Sequence, residues 1–425
     1  MIHLLKKVRN IRSETAHEPI INPLTRLQNW LSSRTKPIST FKLKTISRLQ
    51  LRKILKKLKG NRSSGIDFID GFCIKLAAPL IEDELLHLVN LSIKKSQYPQ
   101  QWKSAKINPH FKSGDKFNGT NYRPVSDLVF VSKITEAAVF EQVFEHFVVN
   151  ELWHPNHHGY KHGHSTATAI TQMYDIWIRG AEEKKLSAAL LLDLSAAFDV
   201  VDHQILLRKL DLYNFDSDSV AWFKSYLSNR SQYVMVESCL SDPKPVGDQS
   251  VPQGSLLGPL LFIIFYNDFP AAREVGSSVL YADDDTDIVA DNDIETLTEK
   301  IQNEANLSTD WVKDNRLVCS GKKTKLLIIG TRELKRSRQG NTKVEITVAG
   351  HTVKESESER LLGIIVNNTM TWESHLYGND EHKGLIPKLS QRAKLIQRLS
   401  LVMPKNKLKG IFFSILNYCI QVCGS

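Results

Sequence analysis

Three consecutive aspartates, Asp283–Asp285, interrupt an apolar stretch that reads SVLYADDDTDIVA over residues 278–290. The apolar and β-branched residues on both sides predict two strands joined by a tight acidic turn. Burying carboxylates without partners costs several kcal/mol, and adjacent aspartates repel one another and raise each other's pKa. A turn that keeps these charges needs cations, and Mg²⁺ with hard oxygen ligands is the simplest one.

A second carboxylate follows a similar apolar run. Residues 187–194 read SAALLLDL, in which Ala188–Leu192 predicts a strand buried on both faces, with Asp193 at its exit. If Asp193 meets Asp283 across a sheet, such carboxylates can hold two metal ions about 3.5–4 Å apart, as in two-metal enzymes. For the acidic triplet taken alone, an ordinary solvated turn remains the alternative.

Other segments mix helical and strand patterns without strict alternation, which predicts the α+β class. Helices are expected at about 46–59, at 127–149 with Ser126 as N-cap, at 165–183 opening at Ser165, and from about 203. KLLIIG and EITVAG predict two further short strands. Residues 1–40, which contain Pro19, Pro23 and Pro37, predict a weakly ordered basic lead-in.

Positive charge is concentrated near the N-terminus. Residues 1–62 contain 16 Lys and Arg but only Glu14 and Glu18, a net charge of +14, whereas residues 63–425 carry −4. This segment is either a solvated basic face or an arm for phosphate backbones, whose affinity falls with salt. The 46–59 pattern favours the arm, because it predicts an apolar face and an opposite basic face. The apolar residues are Ile46, Leu49, Ile54, Leu55 and Leu58, and the basic ones are Lys53, Lys56, Lys57 and Lys59.

Several classes of protein are disfavoured. No apolar run reaches the roughly 18 residues of a membrane span, and no signal-peptide core is present. The five scattered cysteines predict free thiols rather than a disulfide framework. The absence of a CxxC pair argues against structural zinc.

Eight motifs, in order, resemble those of the reverse transcriptases of non-LTR (LINE-type, jockey-like) retrotransposons, from about residue 41 to the C-terminus. They are KGNRSSGIDFI at 59–69, NPHFKSGDKFNGTNYRPVSDL at 108–128, HHGYKHGHSTATA at 157–169, LLLDLSAAFDVVDH at 190–203, VPQGSLLGPLLFIIFYNDF at 251–269, LYADD at 280–284, WVKDNRLVCSGKKTKLLIIG at 311–330 and LLGIIVNNTMTWESH at 361–375. The PQGS and YADD motifs are individually specific, and their order adds to that specificity.

The resemblance implies a right-hand polymerase with fingers at 41–186, a palm of antiparallel sheet plus helices at 187–345, and the end of the palm with a partial thumb at 346–425. It implies an RNA-directed DNA polymerase that extends a DNA primer with dNTPs on an RNA template. Such an enzyme uses two Mg²⁺ ions, with Mn²⁺ as a substitute, and acts in an intracellular ribonucleoprotein in cytoplasm and nucleus.

Two alternatives stay open beside this expectation. One is a catalytically inactive nucleic-acid-binding remnant, and the other is a different reverse transcriptase such as an intron maturase or telomerase. The motifs HHGYKHGHST and LLGIIVNNTMTWESH disfavour the latter. Nothing upstream resembles an endonuclease domain and the chain stops near the early thumb, so a fragment or truncated copy is expected.

The resemblance also implies roles for individual residues. Asp193, the Leu194 carbonyl, Asp283 and Asp284 correspond to metal ligands. Lys323 corresponds to the proton donor for pyrophosphate, although a solvated surface lysine is its alternative role. Phe198 corresponds to an aromatic gate against the 2′-hydroxyl, although core packing is its alternative role. The other nucleotide-binding positions are Lys112, Arg123, Gln253 and Gly254, and His164 and Ser165 face template or cap a helix.

Three features depart from the family pattern. Asp285 stands where Thr usually follows YADD, so either the turn is one residue longer or Asp285 substitutes for Thr; we expect it in the turn, within reach of water and not bound to metal. Ser320 replaces a usual Asn, which predicts a weaker turn hydrogen bond. The histidine cluster lacks Cys and overlaps a motif, which disfavours zinc. Its members are His154, His157, His158, His162 and His164.

Overall fold

The computed structural model describes residues 23–60, 63–111, 114–236, 239–379, 382–405 and 407–410, with the backbone alone for Thr120 and Arg123. Helices and sheets are mixed along the chain, which confirms the predicted α+β class. None of the described helices combines the length and the apolar character that crossing a membrane would require. The three described cysteines, Cys73, Cys239 and Cys319, are free.

Twelve α-helices, including one single turn, have both ends within the described part of the chain. They are α1 Thr25–Ser32, α2 Arg48–Lys57, α3 Gly71–Lys94, α4 Phe130–Val149, α5 Thr166–Glu182, α6 His203–Leu212, α7 Ser217–Leu227, α8 Leu257–Phe265, α9 Ile294–Asp314, α10 Arg332–Leu334, α11 Glu373–Tyr377 and α12 Leu385–Leu399.

Thirteen strands are assigned in the same ranges. They are β1 Ser104–Phe111, β2 Tyr122–Leu128, β3 Leu186–Leu192, β4 Ser231–Val236, β5 Cys239–Leu240, β6 Lys244–Pro245, β7 Ser277–Tyr281, β8 Asp284–Asp291, β9 Lys325–Ile329, β10 Glu345–Val348, β11 His351–Ser356, β12 Ser358–Leu361 and β13 Ile364–Asn367.

The chain divides into two compact units, each discontinuous in sequence. The first comprises 1–154, 195–271 and 311–318, and the second comprises 155–194, 272–310 and 319–425. This division follows packing alone and does not test the fingers, palm and thumb boundaries, which stay predictions.

The first unit contains a five-stranded sheet in the order β2-β1-β4-β5, with β6 also paired to β4. Helix α8 is buried along almost its whole length. Beyond its end, the buried Lys209 ammonium donates to the Phe265 carbonyl at 2.7 Å and to the Asp268 carboxylate at 2.6 Å. These two contacts offset part of the large cost of removing the lysine charge from water.

The second unit contains a six-stranded sheet in the order β10-β11-β9-β3-β8-β7 and a separate β12-β13 pair. Strand β3 lies inside the sheet, between antiparallel β8 and β9. Helix α5 packs its apolar side, including Ile170 and Trp177, against Ala189, Ile288 and neighbouring residues. Burial on both faces explains why β3 is an unbroken apolar run rather than an alternating one.

Several predicted elements are confirmed. Strands β3, β7, β8, β9 and β10 and helix α6 occupy the expected segments. Helix α5 opens at the predicted cap, since the Ser165 hydroxyl accepts from the Thr168 amide in a capping box.

Three expectations are wrong. Ser126 is not a helix cap but a residue of β2, and α4 begins only at Phe130. Leu49 is 63 % exposed, and Leu51 packs inside instead. Residues 23–40 are ordered rather than loose, because helix α1 forms there and Arg34 donates to the Asn150 carbonyl at 2.7 Å. Residues 1–22 of the predicted lead-in lie outside the described residues.

Candidate active site

The end of β3 and the β7–β8 hairpin bring the predicted acidic residues together in the second unit. In the sheet register Leu192 of β3 pairs with Asp285 of β8, and Tyr281 pairs with Asp284. Asp193 therefore follows β3 at the level of Asp284, and Ala282 and Asp283 form the two-residue hairpin tip. The turn is not longer than usual, because Asp285 simply occupies the position after the YADD motif.

The carboxylates of Asp193, Asp283 and Asp284 lie near enough for their charges to interact. Asp284 is solvent-exposed, yet partial desolvation at the packed strand end, followed by the charges of Asp283 and Asp193, raises its pKa to about 6. Asp193 lies 3.4 Å from the Lys323 ammonium, measured from its Oδ2 atom. That oxygen is buried and accepts no hydrogen bond from the described residues. Three carboxylates thus share a strand end where Lys323 is the cation in ion-pair contact with Asp193.

The loop before β9 holds the backbone of Asp193. The Ser320 amide donates to the Asp193 carbonyl at 2.8 Å, and the Ser320 carbonyl accepts from the Lys323 and Thr324 amides. Leu194 is buried and bridges to Cys319. Because these turn bonds come from the backbone, the Asn-to-Ser departure leaves them in place.

The hairpin tip is supported by a segment whose role the sequence analysis missed. The Leu280 amide donates to the Asn156 carbonyl at 2.9 Å, and the His158 amide donates to the Leu280 carbonyl at 2.7 Å. A Cβ atom at Gly159 would lie 2.4 Å from the Ala282 nitrogen. The glycine of the HHGY motif thus permits close backbone contact with the hairpin. A glycine in the motif was the only sequence feature that could have suggested such a contact.

The expectation that Asp285 lies in the turn within reach of water is wrong. Asp285 is 2 % exposed and belongs to β8, where its side chain points to the same sheet face as that of Asp287. Burial, and then the charge of Asp287, raises its pKa well above the ordinary range. Asp285 is therefore a buried carboxyl that holds its proton more tightly than an ordinary aspartate, rather than a screened surface charge.

A buried ionic network behind the hairpin also escaped the sequence analysis. The Arg273 guanidinium lies 3.2 Å from the Asp287 carboxylate and donates to the Glu304 carbonyl at 3.0 Å. Asp287 also accepts from the hydroxyls of Ser278 and Ser308. These contacts tie β7, β8 and α9 together. The sequence feature that could have predicted this network is Asp287, a further carboxylate in the apolar segment after the acidic triplet.

A second cluster of predicted residues lies in the first unit, around the PQGS segment. The Gln253 side-chain amide donates to the Asp199 carboxylate at 2.9 Å, and the Gln253 carbonyl accepts from the Ser126 amide at 3.0 Å. Gly254 has φ +104°, and a Cβ there would lie 2.3 Å from the Ser126 carbonyl. The half-buried Phe198 ring stacks on Phe262 at 4.3 Å. This stacking is compatible with both roles considered for Phe198.

The residues predicted to contact nucleic acid differ in exposure and in their contacts within the protein. Lys53, Lys56, Lys57 and Lys59 are exposed, as the basic-face prediction requires. Lys57 forms an ion pair with Glu141 at 2.8 Å. Ser165 is used as a helix cap, and the His164 Nδ1 atom donates a hydrogen bond to the His162 carbonyl at 3.1 Å.

Two predicted nucleotide-binding residues have no described side chain. Lys112 lies outside the described residues, and of Arg123 only the backbone, paired with His110, is described.

Among the residues that the structure describes, no three His, Cys, Asp or Glu side chains already converge as a metal-binding group.

Comparison with known families agrees with this geometry. The family model described as reverse transcriptase (RNA-dependent DNA polymerase) matches residues 112–366, more than half of the chain. The chain belongs to the reverse transcriptase family. The match includes both acidic strand segments and the PQGS segment.

Curated relatives carry the non-LTR resemblance. The chain is 25 % identical over 391 residues to the RNA-directed DNA polymerase from mobile element jockey of Drosophila melanogaster, covering 89 % of this chain and 41 % of that protein. It is 27 % identical over 359 residues to the probable RNA-directed DNA polymerase from transposon BS of the same species, covering 82 % and 39 %. The chain thus spans about two fifths of these relatives, and the jockey-like resemblance is confirmed.

Replacing Asp285 tests its burial through the pH dependence of stability. Its folded-state pKa is raised, so the folded chain keeps a proton that the unfolded chain releases. Stability falls by up to about 1.4 kcal/mol per pH unit as the pH rises from the ordinary Asp range towards that raised pKa. Asp285→Asn should remove the contribution of Asp285 to this slope, measured by chelator-containing urea unfolding as the pH rises above the ordinary Asp range.

Asp291→Asn at the far end of β8 is the control, because Lys300 lowers the pKa of Asp291 and its stabilisation is lost only under more acidic conditions. An unchanged slope in Asp285→Asn would show that Asp285 is ionised in the folded chain.

Proposed function

We propose that this chain is the RNA-directed DNA polymerase of a non-LTR retrotransposon, extending a DNA primer with dNTPs on an RNA template. The observation that carries the proposal is the sheet register, which places Asp193, Asp283 and Asp284 at one strand end, within the segment matched by the reverse transcriptase family. Nucleotidyl transfer needs concentrated negative charge in this form, since the carboxylates must hold cations against phosphate.

The donor set suits divalent cations. Asp193, Asp283, Asp284 and the Leu194 carbonyl would hold two Mg²⁺ ions, for which Mn²⁺ would substitute. When bound, the ions supply charge neutralisation for the attacking and leaving oxygens. The raised pKa of Asp284 and the buried Asp193 oxygen support this assignment, because both reflect carboxylates short of positive charge.

Lys323 is the proposed proton donor to the leaving pyrophosphate. Its side chain is 65 % exposed and its ammonium lies 3.4 Å from Asp193, so it is available to a phosphate oxygen near the acidic strand end. An ammonium at this position would also neutralise developing charge.

Phe198, Gln253 and Gly254, together with Lys112 and Arg123, are the proposed nucleotide-binding residues. The contacts of Gln253 with Ser126 and Asp199 support a fixed, glycine-permitted backbone suited to close approach by a ligand. Phe198 would exclude ribonucleotides by contact with the 2′-hydroxyl.

Template RNA is proposed to contact the basic face of α2, through Lys53, Lys56, Lys57 and the adjacent Lys59, with His164 and Ser165 as further contacts. The exposure of the four lysines supports the proposal, whereas the capping role of Ser165 weakens the assignment of that residue. Phosphate contacts of this kind position a nucleic acid without reading its sequence.

The right-hand division is proposed at the predicted boundaries, with fingers at 41–186, palm at 187–345, and the palm end with a partial thumb at 346–425. The antiparallel strands β3, β7 and β8, which carry the acidic residues, support a palm in the middle range. An intracellular ribonucleoprotein remains the proposed setting.

Primer extension tests the function. The chain should extend a DNA primer on an RNA template with dNTPs and Mg²⁺. Asp193→Asn and Asp283→Asn should each reduce the rate at least about 1,000-fold, because each removes a charge that holds metal. Asp285→Asn is the matched control and should retain activity within a few-fold, because the Asp285 side chain is buried within the sheet.

Template binding without synthesis by the wild-type chain would instead identify an inactive nucleic-acid-binding remnant. A comparable loss of primer-extension activity in Asp285→Asn and Asp283→Asn would contradict the assignment of Asp283 and Asp284, rather than Asp285, as metal ligands.

The steric-gate role of Phe198 has its own test. Phe198→Ala should raise the incorporation of NTP relative to dNTP by roughly tenfold or more, because it opens space beside the 2′ position. Phe262→Leu, which alters the partner of the ring stack, is the control for a loss of packing. A destabilised Phe198→Ala chain with unchanged sugar preference would leave Phe198 as a core residue.

A further inference from the structure

Helix α8 begins in a buried environment and lacks a capping side chain of its own. Its N-cap residue is Leu256, which offers no side-chain acceptor, and the helix is almost entirely apolar. The first amides of a helix have no partners within the helix, and burying them unpaired is costly. The chain must therefore supply acceptors from elsewhere.

Glu136 of helix α4 supplies two of these acceptor contacts. This glutamate is fully buried, and its Oε2 atom accepts from the Leu256 amide at 2.7 Å and from the Leu257 amide at 3.3 Å. The next amide, of Gly258, donates to the Ser255 hydroxyl at 2.8 Å. Pro259 follows and has no N–H. The start of the helix is thus completely satisfied, with Glu136 as the long-range partner.

The segment fixed in this way includes the proposed nucleotide-binding residues. Gln253 and Gly254 lie three and two residues before Leu256, the first residue whose amide Glu136 binds. The Ser126 amide donates to the Gln253 carbonyl at 3.0 Å, and the Val251 amide donates to the Phe198 carbonyl at 2.9 Å. Gly254 is held so closely against Ser126 that no Cβ fits there. A small movement of the helix start would therefore displace these close contacts.

We propose that Glu136 is a positioning residue that sets the place of Gln253 and Gly254 for binding of the incoming dNTP, acting through the N-terminus of α8. The role of Gln253 and Gly254 rests on the proposed polymerase function. Glu136 itself touches the helix amides and Tyr98, whose hydroxyl donates to its Oε1 atom at 3.4 Å.

Steady-state primer extension separates positioning from simple stability. Glu136→Ala should raise the KM for dNTP roughly tenfold or more and change kcat less, since a displaced pocket misplaces the nucleotide. Primer–template affinity should stay within twofold. Glu136→Gln keeps the shape and one acceptor oxygen, so its KM should lie between those of wild type and Glu136→Ala.

Two controls on the same helix make the result specific. Val143→Ala removes buried volume from α4 and should lower Tm with the KM for dNTP unchanged. Glu141→Gln alters an exposed glutamate that pairs with Lys57 and should change neither quantity appreciably. If Glu136→Ala lowers Tm as Val143→Ala does but leaves the KM for dNTP at the wild-type value, the positioning role is wrong.

Hydrogen exchange of the Leu256 and Leu257 amides gives a readout independent of activity. Both amides should be protected in the wild-type chain, exchange much faster in Glu136→Ala and exchange at an intermediate rate in Glu136→Gln, while amides late in α8 keep their protection. Failure of wild-type DNA synthesis would overturn the polymerase function, whereas unchanged exchange at these two amides would overturn the positioning role of Glu136. If Glu136→Ala does not fold, Glu136→Gln carries both measurements.

Discussion

The pairing of β8 with both β3 and β7 is the constraint on which the proposed active site depends. Leu192 and Leu280 both pair with Asp285, so one register fixes the exit of β3 and the hairpin tip at the same level of the sheet. A slip of one residue would turn every side chain of a strand to the opposite face. The apolar residues of β3 and the packing of α5 therefore hold the carboxylates in place as well as stabilising the unit.

The negative charge at this edge is balanced differently on the two sides of the sheet. Asp287 is buried with Arg273 and two serine hydroxyls, which partly offset the effect of burial in raising its pKa. Asp193, Asp283 and Asp284 share the solvent-accessible end, where Asp284 shows a raised pKa. Stored repulsion of this kind is common where a site must bind cations, and it lowers stability in exchange for function.

Much of this arrangement could be predicted from the sequence, because local patterns determine it. The apolar run before Asp193, the strand–turn–strand pattern around Asp283 and the Ser165 cap are all local signals. The face of Asp285 could not be predicted, because it depends on which two residues form the turn. Ser126 failed as a cap because pairing with β1 extends the strand through that position.

Long-range partners account for the other failures. Leu51 rather than Leu49 is buried, since the neighbouring helices decide which side of α2 faces inward. The role of Glu136 could not be predicted from its position in an apolar helix, because the amides that it binds are 120 and 121 residues away in the chain. Gly159 belongs to a recognisable motif, but the sequence does not show that its partner is the backbone of the β7–β8 hairpin.

Direct measurement of divalent-cation binding tests the central claim, that Asp193, Asp283 and Asp284 form a metal site. Mn²⁺ titration followed by electron paramagnetic resonance should show binding to the wild-type chain that weakens as the pH falls through about 6, where Asp284 takes up a proton. Asp193→Asn and Asp283→Asn should each weaken binding at least about tenfold, whereas Asp285→Asn should leave it unchanged. Wild-type affinity in both Asp193→Asn and Asp283→Asn would contradict the account.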